Sequence, residues 1–205
     1  YDDIFVLYND GDEIKYAGID WSVGTFADTA HTIDASKAQT VSAAEFIVKL
    51  SNGTLAKDEV YRVTDRIVLP SGTYNGKGAA VIAEGGISVS GADSVLLENL
   101  IVEGSVTVTS SEAVTFNAVD IKCANTAVTL DKNSSNVLFE NCRIYSDALA
   151  IQSETNDLTV YSSYLSGRFG VQLFGERVTL QNCKVFGVDR AISVKGKDVI
   201  VRENT

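Results

Sequence analysis

Apolar and polar residues alternate along most of this chain in short segments that repeat. The stretches VLFENCRIYS (137–146) and VTLQNCKVFG (178–187) follow one pattern and begin 41 residues apart, at positions 137 and 178. The first apolar position of the pattern recurs at spacings of 19, 23, 21, 20 and 21 residues, at Val95, Val114, Val137, Leu158, Val178 and Val199. A period of about 20 residues predicts a solenoid.

A second alternating motif follows within each unit, as SVTV (105–108), AVTL (127–130), ALAI (148–151), GVQL (170–173) and AISV (191–194). Alternation rich in Val, Ile, Leu and Phe predicts strands with one buried face, and about 21 residues hold three such strands with their turns. Because like units stack in register, each strand pairs in parallel with its counterpart one coil along. We therefore predict an all-β, single-stranded parallel β-helix of roughly six to seven coils.

The alternation also predicts the core. The sheet that contains the AVTL-type motifs is expected to bury Val106, Val108, Val128, Leu130, Leu149, Ile151, Val171, Leu173, Ile192 and Val194. A second sheet buries the positions equivalent to Val95 and Leu97, and a third buries Val102, Ile121, Ile144, Leu165 and Val185. Cys142 and Cys183 precede inward positions by two residues, so we expect them to be small buried hydrophobes.

An asparagine recurs at one turn of the repeat. Buried side-chain amides satisfy unpaired backbone groups at a sharp turn and bond to one another along a stack. We expect a partial asparagine ladder through Asn99, Asn141 and Asn182, interrupted by Ala118 and weakly continued by Ser162.

Residues 60–205, about 70% of the chain, resemble the right-handed parallel β-helix of the pectin lyase-like superfamily. The segment RIVLPSGTYNGKG (66–78) is similar to the LPxGTY entry to the first coil in many members. The segments NVLFENCRIYSDALAIQS (136–153) and RVTLQNCKVFGVDRAISVKG (177–196) look like the generic repeats of that superfamily. The resemblance implies a right-handed helix, and its motifs are structural ones, so they carry little information on function.

Residues 1–33 do not carry the repeat. Two strand-like runs flank Asn9-Asp10-Gly11-Asp12 and predict a β-hairpin. Ser42 and Glu45 form a capping-box pattern before an apolar run, which predicts a short helix over roughly 43–51. We expect residues 1–59 to form an N-terminal cap that covers the first coil of the β-helix at 60–205.

Enzymes of the superfamily generally act along the outer face of one sheet. The outward positions of the AVTL-type sheet are predicted to form two columns: Thr107, Thr129, Ala150, Gln172 and Ser193, and Thr109, Asp131, Gln152, Phe174 and Lys195. A hydrolase needs two carboxylates that flank the scissile bond, and Asp131 with Asp147 in the next coil is the available pair. The paired Asp residues and Gly-His-Gly of polygalacturonases are absent, and His31 lies outside the repeat.

A polysaccharide lyase acting on uronate-containing glycans remains an alternative. Asp131 and Asp147 would then hold Ca²⁺, and Arg168, Arg190 or Lys195 would serve as the base. A pectin-esterase arrangement has only Gln152, Gln172 and Arg168 in its favour. Whether the chain is catalytic stays open at this point, and the leading hypothesis needs no cofactor.

That hypothesis is a non-catalytic module that contacts polysaccharide. The third sheet is predicted to point Arg143, Tyr145, Tyr164, Lys184 and Phe186 outward, and Phe174 adds an exposed ring on another sheet. Aromatic rings on adjacent coils beside cations are typical of sugar binding, and such a surface is unusual unless something covers it.

Charge and composition narrow the range of partners. The net charge of −10 and pI of about 4.5 argue against nucleic acid, which needs clustered Lys and Arg. No apolar run approaches ~18 residues, so no membrane insertion is expected. Three cysteines without metal-ligand spacing predict neither a disulfide framework nor a zinc site.

We expect a secreted or cell-surface protein whose partner is a polysaccharide or cell-surface glycan. The strand pattern runs up to Thr205, so we also expect the native protein to continue, with an end-to-end or C-terminal domain contact at the open end.

Overall fold

The computed structural model describes residues 5–10, 13–18 and 32–205. Strands β1 (Phe5–Asp10) and β2 (Glu13–Gly18) pair antiparallel, which confirms the predicted hairpin, although its turn lies outside the described residues. The rest of the described chain is a parallel β-solenoid of about eight turns with ~21 residues per turn. The predicted fold is thus confirmed, with more turns than the six to seven expected.

Three faces run along the solenoid. Face A contains β3 (Gln39–Thr40), β4 (Val60–Val63), β7 (Ala80–Ala83), β10 (Ile101–Glu103), β13 (Asp120–Cys123), β16 (Arg143–Ser146) and the first parts of β19 (Tyr164–Phe174) and β21 (Lys184–Lys195). Face B contains β5 (Ile67–Leu69), β8 (Ile87–Ser90), β11 (Val106–Thr109), β14 (Val128–Leu130), β17 (Leu149–Ser153) and the second parts of β19 and β21. Face C contains β6 (Gly72–Asn75), β9 (Asp93–Glu98), β12 (Glu112–Asn117), β15 (Ser135–Glu140), β18 (Asn156–Tyr161), β20 (Thr179–Gln181) and β22 (Ile200–Arg202).

The core fills the space between the faces. The predicted inward residues are buried, apart from four near the last turn. Ile192, Val194 and Val199 are half-buried and pack against the same cluster, whereas Val201, on the last strand β22, is 45% exposed, so its predicted burial is wrong. Cys142 and Cys183 are also buried, as predicted. Each turn therefore adds one layer of Val, Ile, Leu or Phe to a continuous apolar core.

Helix α1 (Ala43–Ser51) covers the start of this core. The Ser42 side chain accepts from the Glu45 backbone N–H and Glu45 accepts from the Ser42 backbone N–H, which is the predicted capping box. Phe46 and Leu50 on its buried side join the core cluster. The segment before it contains the 3-10 helix Ala35–Lys37, whose N-cap is Asp34.

That segment, residues 32–38, is here called the strap because it crosses the outer surface of face A. Ile33 and Ala38 pack against an apolar cluster that Val60, Ala80 and Ile82 form on the outward side of the sheet. Strands β4 and β7 are therefore buried on both sides, whereas the alternating pattern predicted one buried face for each strand.

The turn between faces C and A repeats one backbone conformation. Its central residue has a φ of 48° to 57° in successive coils, at Asn99, Ala118, Asn141, Ser162, Asn182 and Glu203. Asn adopts this left-handed region more readily than other non-glycine residues, so the conformation accounts for the recurrent Asn.

The asparagine ladder was predicted as buried, and that part of the prediction is wrong because the three Asn side chains are exposed. The Asn182 amide donates to the Ser162 hydroxyl at 2.9 Å, whereas the Asn141 amide lies 3.5 Å from Asn117 instead.

A buried hydroxyl ladder lies at the corner between faces B and C. The Ser111 hydroxyl accepts from the Ala92 backbone N–H at 3.1 Å, and the Ser134 hydroxyl accepts from the Ser111 N–H at 3.3 Å. Thr155 donates to the carbonyl oxygen of Ser134. These side chains satisfy the corner's backbone from inside, the role expected of the Asn residues.

Candidate functional site

The candidate site lies on the outer side of face A. Tyr164 is in register with Arg143 on one side and Lys184 on the other, and Ser166 is in register with Tyr145 and Phe186. The residues that alternate with these positions along each strand point into the core. Five of the six predicted sugar-binding residues thus lie together on β16, β19 and β21; this group is called the platform.

Two tyrosine rings form the centre of the platform. The ring centroids of Tyr145 and Tyr164 are 5.2 Å apart with a tilt of 36° between the ring planes. Both side chains are half-buried, and burial, together with the neighbouring Tyr145, raises the pKa of Tyr164. Adjacent rings in this arrangement form an apolar surface with hydroxyl groups at its edge.

Cations flank the rings. Arg143 Nε lies 3.9 Å from an Asp120 carboxylate oxygen, and its side chain remains 46% exposed. Lys184 is exposed on the next strand. The platform therefore combines aromatic rings with side chains whose N–H groups are hydrogen-bond donors.

A groove of about 510 Å³ adjoins the platform at the corner between faces A and B. It is lined by Ile82, Ala83, Glu84, Glu103, Gly104, Lys122, Cys123, Ala124, Tyr145, Ser146, Asp147 and Ser166. This volume lies within the range of small-ligand sites, roughly 300–1,000 Å³. Tyr145 belongs to both the groove and the platform.

Sequence reasoning missed most of the groove. Glu103, Lys122, Tyr145 and Ser166 occupy one register column of face A, which is continuous from strand to strand. The alternation that placed Tyr145 outward also places Glu103 and Lys122 outward. The same alternation could therefore have identified Glu103 and Lys122 as outward residues beside Tyr145.

The strap lies beside the groove. Ile33 lines a small cavity together with Ile101, Asp120 and other face A residues, and that cavity shares Glu103, Lys122 and Tyr145 with the groove. The strap therefore borders the groove on its face A side.

Phe174, the sixth predicted sugar-binding residue, lies elsewhere. It ends β19 on face B, in register with Lys195, and is half-buried. It is not part of the platform.

The two candidate catalytic carboxylates do not come together. Asp131 follows the C-terminal end of β14, whereas Asp147 precedes β17, and its backbone N–H donates to the Cys123 carbonyl. Because β14 and β17 are parallel and Val128 is in register with Ile151, the two Asp residues lie at opposite ends of this strand pair. The predicted approach of Asp131 to Asp147 is therefore wrong.

Asp131 has a local structural role. Its carboxylate accepts from the Ser134 hydroxyl at 2.5 Å and from the Ser110 backbone N–H at 3.1 Å. Burial opposes ionisation, but these hydrogen bonds and one from Asn133 outweigh it and lower the pKa of Asp131. Asp131 thus closes the turn that follows β14.

Two of the three predicted basic residues, Arg168 and Arg190, lie at the corner between faces A and B, whereas Lys195 ends β21 on face B. Arg168 Nε is 2.5 Å from an Asp189 carboxylate oxygen, and the guanidinium carbon lies 5.9 Å from the ring centroid of Phe169. Arg190 is in register with Phe169 one coil along. Asp147 lies at the same corner, so the structure brings Asp147, Arg168 and Arg190 near one edge without Asp131.

Both predicted columns on face B also need correction, because Gln152 belongs to the column of Thr129 and not to that of Asp131. Thr129 is in register with Gln152 rather than Ala150, and Gln152 is in register with Gln172. Ala150 is buried. Ile151 follows Ile144 by seven residues, and Val128 follows Ile121 by the same interval. Ile151 is therefore the register partner of Val128, and the predicted alignment of the ALAI motif was wrong by two residues.

No group of three or more His, Cys, Asp or Glu side chains suited to a metal ion occurs within residues 32–205. In the described part of the chain, no helix has the length and hydropathy needed to cross a bilayer.

The three-faced parallel coil defines this molecule as a β-solenoid. Residues 73–205 match the family described as the right-handed beta helix region, and the chain belongs to that family. The match is consistent with the resemblance to the pectin lyase-like superfamily. Comparisons with curated proteins and with solved structures give no match.

Proposed function

We propose that this protein is a non-catalytic, glycan-binding β-helix module that contacts polysaccharide through the platform and the adjoining groove. The observation that carries the proposal is the Tyr145–Tyr164 ring pair, 5.2 Å apart, at the edge of a groove of about 510 Å³. Pyranose rings present apolar C–H faces and polar edges, which suit aromatic surfaces beside hydrogen-bonding groups.

The polar groups around the rings support the same proposal. The side-chain nitrogens of Lys122 and Arg143 are hydrogen-bond donors, and the carboxylates of Glu103 and Asp147 are acceptors. The Ser166 hydroxyl is both a donor and an acceptor. A partner rich in hydroxyl groups matches this mixture better than an apolar ligand does.

A non-catalytic role is favoured because the candidate catalytic groups are dispersed or engaged. Asp131 is held in its own turn, and Arg168 is paired with Asp189. Glycosidase chemistry needs two carboxyl groups within about 5–10 Å of each other on either side of the scissile bond. Asp131 and Asp147, at opposite ends of their strands, do not provide that arrangement.

The proposal is tested by measuring binding and turnover together. The purified protein is titrated with a panel of neutral and acidic polysaccharides, and the mixtures are assayed for reducing ends and unsaturated products. We expect binding without turnover. The double variant Tyr145→Ala/Tyr164→Ala should lose binding at least about tenfold, because stacked aromatic contacts contribute roughly 1 kcal/mol or more each.

Tyr161→Ala is the matched control, because Tyr161 is an exposed tyrosine at the end of β18 on face C. It should bind like the parent protein. Absence of binding to every glycan, or equal loss in the control and the double variant, would overturn the proposed function. Product formation would overturn its non-catalytic part.

A secreted or cell-surface location is part of the proposal, because glycans of the size that the groove accommodates are abundant there. Labelling of intact cells with a membrane-impermeant reagent, followed by immunodetection of this chain, tests it. Labelling only after lysis would contradict it.

A further inference from the structure

The groove is elongated along the solenoid axis. Its lining comes from five successive strands of face A. β7, β10, β13 and β16 each contribute their C-terminal end and the following corner, and β19 contributes Ser166 from its first part. Parallel strands lie ~4.8 Å apart, so four spacings give a length of about 19 Å. The strand spacing is close to the length of one residue in an extended pyranose chain.

The residues along the groove change from coil to coil. The column begins at Ile82 and continues with Glu103, Lys122, Tyr145 and Ser166. An extended chain lying along this column would meet an acceptor, a donor, a ring and a hydroxyl in turn. The strap favours this orientation, because Ile33 borders the groove and would obstruct a ligand that crosses face A.

The charges in the groove limit the kind of glycan. Glu84 is ion-paired with Arg62, whose guanidinium nitrogen lies 2.5 Å from its carboxylate. The other side chains of the lining that are charged at neutral pH are two carboxylates, Glu103 and Asp147, and one ammonium, Lys122. The whole chain has a net charge of −10, which adds to the negative potential.

We propose that the groove binds a linear, uncharged glycan that lies along the solenoid axis, with about one sugar residue per coil. This inference rests on the proposed function and specifies its ligand. A polyuronate would place a carboxylate on each sugar beside the excess negative charge of the groove. The resulting repulsion disfavours the acidic ligand at low ionic strength.

The test is a calorimetric titration with two oligosaccharide series of one to six residues. One series is neutral, in three separate linkages (cello-, xylo- and manno-oligosaccharides), and the other is oligogalacturonate. For a neutral series we expect the affinity to rise with length up to four or five residues and then to level off. We expect oligogalacturonate of equal length to bind about tenfold more weakly, with a gap that narrows as salt is added.

A charge variant provides the matched comparison. Glu103→Gln/Asp147→Asn neutralises two carboxylates of the groove, so the ratio of neutral to uronate affinity should fall several-fold. Glu140→Gln, on the outer side of face C, should leave that ratio unchanged.

Each contrary outcome has a distinct meaning. Tighter binding of oligogalacturonate, or an affinity that levels off at one or two residues, overturns this inference and leaves the proposed glycan binding intact. Binding by neither series overturns the inference, and it overturns the proposed function as well if the polysaccharide panel also shows no binding.

Discussion

The rings of Phe116 and Phe139 stack in parallel inside the solenoid, with centroids 4.6 Å apart and an angle of 9° between their planes. The two residues are in register on β12 and β15, and both are fully buried. The distance between the two rings in the core is therefore close to the distance between neighbouring strands. It joins two successive coils through side chains as well as through backbone hydrogen bonds.

Removing one of these rings should destabilise the solenoid strongly. We expect Phe139→Ala to lower the free energy of unfolding by about 3–5 kcal/mol, because the cavity and the lost apolar contacts both contribute. Chemical denaturation followed by circular dichroism measures it. Leu138→Ala, at the neighbouring outward position, should cost less than half as much. Similar losses for both variants would contradict the assigned orientation of β15.

The left-handed turn provides a second test, at Ala118. Its φ of 52° costs an L-residue with a β-carbon roughly 1–2 kcal/mol relative to glycine. We expect Ala118→Gly and Ala118→Asn both to stabilise the protein, by up to about 1 kcal/mol. Thermal and chemical denaturation of the two variants are compared. If only Ala118→Asn is stabilising, an amide ladder rather than backbone conformation selects Asn at this turn.

The three cysteines should differ in reactivity. Cys142 and Cys183 are each 1% exposed, whereas Cys123 is partly exposed in the groove. We expect one thiol per chain to react with an aromatic disulfide reagent under native conditions and three after denaturation. Cys123→Ser should abolish the native reaction. Rapid modification of two or three native thiols would contradict the burial of the other cysteines.

The stability should fall at alkaline pH. Burial raises the pKa of Cys142 to about 12, and burial with the Glu59 hydrogen bond raises the pKa of Tyr61 to about 12, from ordinary values of 9.0 and 10.0. Between pH about 9 and 12 the unfolded chain therefore loses protons that the folded chain keeps, and the free energy of unfolding decreases as pH rises.

Urea unfolding at neutral pH and at pH about 11 measures this dependence. Cys142→Ala should show a shallower decrease than the parent protein, since it lacks one of the two groups. An unchanged or increasing stability across this range would show that these groups are not desolvated in the folded protein.

Sequence periodicity predicted the solenoid because each coil must bury the same face. The predicted register was wrong for one strand, β17. Alternation with a period of two is unchanged by a shift of two residues, so Leu149 and Ile151 were equally good partners for Val128 from sequence. The structure buries Leu149, Ala150 and Ile151 together at a corner, and only the pairing of β14 with β17 distinguishes them.

The strap was unpredictable for a different reason. Packing of Ile33 on the outside of face A depends on a contact between distant parts of the chain, which no local pattern encodes. The uninterrupted apolar run Ala79–Ala83 indicates a strand buried on both sides, since such a strand lacks alternation, but it does not identify the segment that covers the strand. The groove was not predicted for the same reason, because a corner and the strap bound it and the strap's position depends on a contact between distant parts of the chain.

The most direct test of the proposed glycan contact uses Cys123, which lines the groove together with Tyr145. Cys123 is in register with Ser146, the residue that follows Tyr145. The rate of alkylation of native protein is measured with increasing concentrations of the tightest-binding glycan of the panel. We predict that the glycan slows alkylation of Cys123 with a midpoint equal to its dissociation constant. An alkylation rate that stays constant while the glycan is bound would place the binding site outside the groove and contradict the account.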